Sequence, residues 1–73
     1  MQQQPAHQLT QYRQGKELSL EAFGTMVGAS KSMVYKWENG VIPRRKYMDL
    51  IQAATNGEVP PSAWYATGHE VAS

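Results

Sequence analysis

The stretch SLEAFGTMVGASKSMVYKWENG, Ser19 to Gly40, decides how this chain folds. Leu20, Phe23, Met26 and Val27 recur at i, i+3, i+6 and i+7, and Val34 and Trp37 stand three apart, the spacing of residues that share one face of an α-helix. Between the two stripes lies Gly28-Ala29-Ser30. A glycine readily takes the left-handed conformation that closes a helix, and a serine hydroxyl accepts a hydrogen bond from an orphan amide in the first turn of the next. The pattern therefore predicts a helix ending at Gly28, a three-residue turn, and a second helix over residues 30–39 that stops at Asn39-Gly40.

The same periodicity continues on both sides. Leu9 and Tyr12 mark an earlier helix, separated from the second by Gly15 to Ser19, while Tyr47, Leu50, Ile51 and Ala54 mark a fourth. Pro43 suits the first turn of that helix, where its missing N–H costs nothing, and Asn56-Gly57 suits its end. Pro60 and Pro61 open a short fifth helix over Ser62 to Tyr65. No segment alternates with period two long enough for a strand, so the chain is expected to be all-α, a compact bundle of four to five helices. Helices this short are marginal alone, since ~12–15 residues are needed in water. They must share one core, expected to hold Leu9, Leu18, Phe23, Val27, Val34, Trp37, Leu50, Ile51, Ala54 and Trp64. Residues 5–66 read as one domain, residues 1–4 as a disordered start and residues 67–73 as a flexible tail.

Composition narrows the function. A chain of 73 residues holds one domain, and near this size only about 60% of the unfolded surface is buried on folding, which leaves little room for an enclosed catalytic cavity. There is no Cys, and the two histidines, His7 and His69, lie near opposite ends that read as mobile. Disulfides and a thiolate zinc site are excluded, and neither a metal nor a cofactor is expected. Glu17 and Glu21 stand one helical turn apart but read as ordinary surface carboxylates, for no glycine-rich phosphate loop or nucleophile accompanies them. An enzyme is not expected. No uninterrupted apolar run approaches the ~20 residues of a membrane span. Met1 to Pro5 lacks a basic start and an apolar stretch, so the cytoplasm is the expected compartment.

The net charge of +1 hides an asymmetry. Residues 31–46 carry Lys31, Lys36, Arg44, Arg45 and Lys46 against Glu38 alone, whereas Arg13 and Lys16 are matched by Glu17 and Glu21, and Asp49, Glu58 and Glu70 make the remainder acidic. A cation cluster in one window is the footprint of a small protein that docks on a polyanion. It is equally what a solvated surface patch looks like. On the helix over residues 30–39, Val34 and Trp37 take the inner face, which leaves Lys31, Ser32, Tyr35 and Lys36 pointing elsewhere.

Over about residues 9–65 the chain resembles the Cro and repressor family of phage-type helix-turn-helix proteins. The resemblance rests on Gly28 in the turn, Val34 in the second helix of the motif, the Trp37-Glu38-Asn39-Gly40 ending, and a fourth helix followed by Pro and Trp. It implies a lambda-repressor-like DNA-binding fold whose helix 30–39 enters the major groove of operator half-sites in double-stranded DNA. Lys31, Ser32 and Lys36 match family positions that touch bases, and Tyr35 would add a thymine methyl contact or a phosphate hydrogen bond. Lysine favours guanine O6 and N7. Arg44, Arg45 and Lys46 fall where the family runs its loop along the DNA backbone, and Ser19 stands at a helix start that could receive a phosphate. Arg13 and Glu38 match a structural ion pair joining the first helix to the end of the recognition helix. Two departures stand out: Leu20, where family members often carry a backbone-clamping Gln, and Gly24, where a small Ala is usual.

The function so implied is a Cro-like repressor of phage or prophage type, acting as a homodimer that forms on the DNA or before it, with no small-molecule ligand. Val59, Pro61, Trp64 and Tyr65 either form the dimer face or cap the fourth helix. The competing expectation is a protein-binding module of antitoxin or anti-repressor type on the same fold, against which the cation window argues.

Overall fold

The computed structural model describes residues 6–65. The expected disordered start and flexible tail, together with His69 and Glu70, lie outside the described residues. Within them the chain forms α1 (Gln8–Gly15), α2 (Leu20–Val27), α3 (Lys31–Glu38) and α4 (Arg45–Ala54), and a fifth helix, α5, is described over 62–65. The described residues contain no strand, and the fold is all-α.

Each of the first four helices closes through the same pair of backbone hydrogen bonds. Leu18 N donates to Arg13 O at 2.9 Å and Glu17 N to Gln14 O at 3.0 Å; the equivalent pairs are Ala29 to Gly24 and Gly28 to Thr25, Val41 to Lys36 and Gly40 to Trp37, and Gly57 to Gln52 and Asn56 to Ala53. This pattern needs one residue at positive φ just past the helix. Gly28 (φ 73°) and Gly40 (φ 100°) take it freely, while Glu17 (φ 59°) and Asn56 (φ 58°) take it with a Cβ. At the opposite ends, Ser19 Oγ accepts from Ala22 N at 2.9 Å and Ser30 Oγ from Met33 N at 3.1 Å. Local capping chemistry thus sets both boundaries of α2 and of α3.

The core is Leu9, Phe23, Val27, Val34, Trp37, Met48, Ile51, Val59 and Trp64, with Leu18 and Ala54 partly buried beside it. α2 packs chiefly on α3. Trp64 Nε1 donates to Trp37 O at 3.0 Å, which satisfies the buried indole and ties α5 to α3. The turn between α2 and α3 lies close against α2, and a Cβ on Gly24 would stand 2.5 Å from Ala29 O.

Three expectations need correction, and one reading left open is decided. Leu50 is exposed rather than buried, because the inward face of α4 is set by Met48, Ile51 and Thr55. At 100° per residue Leu50 stands well off that line. Pro43 precedes α4 instead of lying in its first turn: Arg44 is extended (φ −68°, ψ 159°), its carbonyl accepts from Tyr47 and Met48, and Pro43 packs as a buried residue. Of the segment held open as a dimer face, Val59 and Trp64 are buried in the core, which leaves Tyr65 exposed and Pro61 partly so. His7, read as lying near a mobile end, is instead fixed: it caps α1 through Nδ1, which accepts from Leu9 N at 3.0 Å, and its ring packs on Trp64 at 4.8 Å.

Candidate nucleic-acid interface

The outer face of α3 follows from its inner one. Val34 is fully buried and Trp37 nearly so, and this orientation leaves Lys31, Ser32, Tyr35 and Lys36 exposed. All four border one shallow depression, together with the partly buried Leu20 that opens α2. Lys31 and Lys36 therefore border the same depression, although four residues of helix lie between them.

Neighbouring depressions extend this surface both ways. Towards the start of α2, Lys31 shares a second hollow with Arg13, Ser19, Leu20 and Glu21. Towards α4, Lys36 borders a third with Met33, Val41, Ile42, Arg44, Lys46 and Tyr47. A continuous band thus runs from Ser19 across α3 to the start of α4. Arg45 stands apart from it, in a hollow with Pro43, Met48, Asp49, Pro61 and Tyr65 and 3.9 Å from the Asp49 carboxylate. Both members of that pair are well exposed, so it contributes little to stability.

Charge along the band runs against local helix preference. The positive end of a helix favours acidic residues by ~0.3–1 kcal/mol each. Yet α3 begins with Lys31 and α4 with Arg45 and Lys46, neither helix has an acid in its first turn, and no side chain caps α4. The positive ends of α3 and α4 are therefore not compensated by acids of their own first turns. Lys46 Nζ lies 5.0 Å from the centre of the Tyr47 ring, a contact that leaves the ammonium open to water.

One ion pair fixes the far end of α3. Arg13 Nε donates to Glu38 Oε2 at 2.7 Å and Nη2 to Oε1 at 3.1 Å, while Nη1 donates to Leu18 O at 3.0 Å. The side chains are only 15% and 8% exposed. The hydrogen bonds to Glu38 hold the Arg13 guanidinium even more firmly protonated than usual. α1 is thereby latched to the last residue of α3.

Two features escaped sequence reasoning. Val41 and Ile42 are about half exposed beside Lys36 and Arg44, and an apolar pair between Gly40 and Pro43 carries no periodicity to say which way it faces. Leu20 was legible only as a departure, and its place in the same depression as the α3 side chains depends on how α2 and α3 pack. Among the described residues no group of His, Asp and Glu side chains is placed to hold a metal ion, and no helix is long and apolar enough to cross a membrane.

No curated protein and no solved structure matches the chain. A family model described as helix-turn-helix matches residues 9–62, from the buried Leu9 of α1 to the start of α5. That span contains α2, the Gly28-Ala29-Ser30 turn and α3 in the order the motif requires, and such domains are DNA-binding and regulatory. The chain belongs to the helix-turn-helix family of the Cro and repressor type.

Proposed function

We propose that this protein is a sequence-specific regulator of transcription, a Cro-like repressor that lays α3 in the major groove of double-stranded DNA and blocks a promoter. The observation that carries this reading is the exposure of Lys31, Ser32, Tyr35 and Lys36 around one depression, opposite the buried Val34 and Trp37. A helix ~10–12 Å across fits a groove ~12 Å wide, so these side chains can meet base edges without distortion of either partner. Lys31 and Lys36 read guanine, Ser32 and Tyr35 touch neighbouring bases, and Arg44, Lys46 and the Ser19 end of α2 hold phosphates on either side. Arg45, set apart beside Asp49, reaches a phosphate only at the outer edge of the footprint.

One helix reads few base pairs, so useful specificity calls for a homodimer on two half-sites about one helical turn apart. Its contact surface is sought around the exposed Tyr65 and the neighbouring Pro61. The protein would act in the cytoplasm, at the nucleoid, and without a small-molecule effector.

Selection of sites from a random duplex pool, followed by band-shift titration, tests the proposal. Lys36→Ala should weaken preference at one base pair by about 1–3 kcal/mol, whereas Lys46→Ala should weaken all sequences alike and flatten the slope of log K against log salt by about one. Equal losses on every sequence from both variants would reduce Lys36 to a backbone contact. No binding to any duplex at about 50 mM salt, where non-specific attraction is strong, would replace DNA by a protein partner of the antitoxin or anti-repressor kind. Sedimentation showing one protein per operator would remove the dimer.

A further inference from the structure

Leu20 is out of place on a surface built for a polyanion. It opens α2 next to the exposed face of α3, where a donor to phosphate would be expected, and its side chain has nothing to offer an anion. The depression it shares with Lys31, Ser32, Tyr35 and Lys36 is mainly apolar: a leucine, an aromatic ring that is 58% exposed, and lysine stems that are hydrocarbon up to the ammonium. Water in such a hollow is poorly held, and a phosphate entering it would lose solvation without finding donors at its floor. The edge of a base pair in the major groove presents one apolar group, the methyl on C5 of a pyrimidine.

We infer that this depression is a subsite for a pyrimidine C5 methyl group, carried by thymine or by 5-methylcytosine, with Leu20 and Tyr35 as its walls and Leu20 as the residue that sets the preference. The inference rests on the proposed placement of α3 in the major groove. Lys31 and Lys36, on the rim of the same hollow, hold the groove against it through hydrogen bonds to neighbouring bases, and the methyl then displaces water from the leucine. Burial of one methyl-sized group amounts to about a fourfold change in affinity, equivalent to about 0.8 kcal/mol.

The test begins with the wild-type protein on its best duplex from a random pool, with each thymine replaced singly by uracil, which removes the methyl and keeps every hydrogen-bonding atom. Uracil at one position in each half-site should weaken binding about fourfold, and uracil elsewhere should have no effect. If the sensitive pyrimidine is a cytosine, methylating C5 should tighten binding by the same factor, which assigns the source to 5-methylcytosine. Leu20→Ala and Leu20→Gln, each checked for an unchanged thermal unfolding transition, should bind methylated and unmethylated duplexes equally. A wild type that binds its selected duplex but responds to neither uracil nor cytosine methylation overturns the subsite while leaving the DNA reading intact, and needs no variant to do so. Equal methyl sensitivity in wild type and both Leu20 variants removes Leu20 from the role. A wild type that binds no duplex overturns the DNA reading and the subsite together.

Discussion

Replacing Glu38 by Gln should destabilise this small domain far more than the loss of one surface ion pair would. An exposed pair contributes under ~1 kcal/mol, whereas stripping a partner from a buried one costs ~3–5 kcal/mol because the remaining charge is left desolvated. Here the arginine contacts the carboxylate through two nitrogens, and the side chains are 15% and 8% exposed. Arg13 keeps one partner after the change, the Leu18 carbonyl at 3.0 Å, and Gln offers one acceptor in place of two. The expected loss therefore falls at or just below the lower end of the buried range, about 2–3 kcal/mol. Against a total of about 0.05–0.15 kcal/mol per residue, that is a large fraction of what holds the fold. Urea unfolding followed by the fluorescence of Trp37 and Trp64, both buried, would read it directly. Comparing Arg13→Met, Glu38→Gln and the double variant isolates the coupling, expected at ~1.5 kcal/mol or more. A coupling below ~0.5 kcal/mol would show that the latch contributes no more than a solvent-exposed pair, and the reasoning from burial would fail.

The same glycine-to-alanine change should have opposite signs at two positions. Gly15→Ala, with open space around the new Cβ, should gain up to about 1 kcal/mol, whereas Gly24→Ala, whose Cβ would meet the Ala29 carbonyl at 2.5 Å, should lose about 1 kcal/mol net once overpacking outweighs helix propensity; a stabilised Gly24→Ala in thermal melts would refute the close approach. Thr55 is fully buried, its hydroxyl donating to Ile51 O at 2.8 Å and accepting from Val59 N at 3.1 Å. Thr55→Val strands the Val59 amide and should cost about 1–3 kcal/mol in urea titration, and an unchanged midpoint would mean that water reaches this amide. Burial lowers the pKa of His7 below its ordinary 6.5, against a weaker upward pull from Glu38, and protonation would also remove the Nδ1 acceptor that caps α1. Because the folded state disfavours the proton, this contribution is complete above pH 6.5 and is lost as the pH falls through that value towards the lower folded-state pKa. His7→Asn, which still caps, should therefore lose less stability than the wild type between pH 7.5 and pH 5, as followed by urea midpoints; parallel losses would exonerate the histidine.

Residues 19–40 announced their own structure because each piece of the signal is local. Ser19, Ser30, Gly28 and Gly40 act on backbone groups within a few residues of themselves, and the Val34 and Trp37 spacing determines which side of α3 is apolar whatever it packs against. The same logic exposes Lys31, Ser32, Tyr35 and Lys36. Periodicity was less informative in α4, where Met48 and Leu50 are both apolar and only the position of the core selects the first over the second. It left most of the segment after Asn56 open: Trp64 reads as core, but Val59, Pro61 and Tyr65 are equally suited to a partner or to the domain's own interior. There the decision came from long-range contacts: Trp64 finds its acceptor 27 residues away on Trp37, and Val59 is held through Thr55.

The boundaries of α2 and α3, the turn between them and the outward face of α3 were thus written in the sequence, since hydrogen bonds over three to five residues and a 100° repeat determine them. Tertiary packing alone decided that Arg44 and Lys46 join Lys36 while Arg45 turns towards Asp49, and that Leu20 closes the depression beside the lysines. Those placements depend on the angles at which separate helices meet, and such angles are set by how side chains distant in the chain fill one shared core.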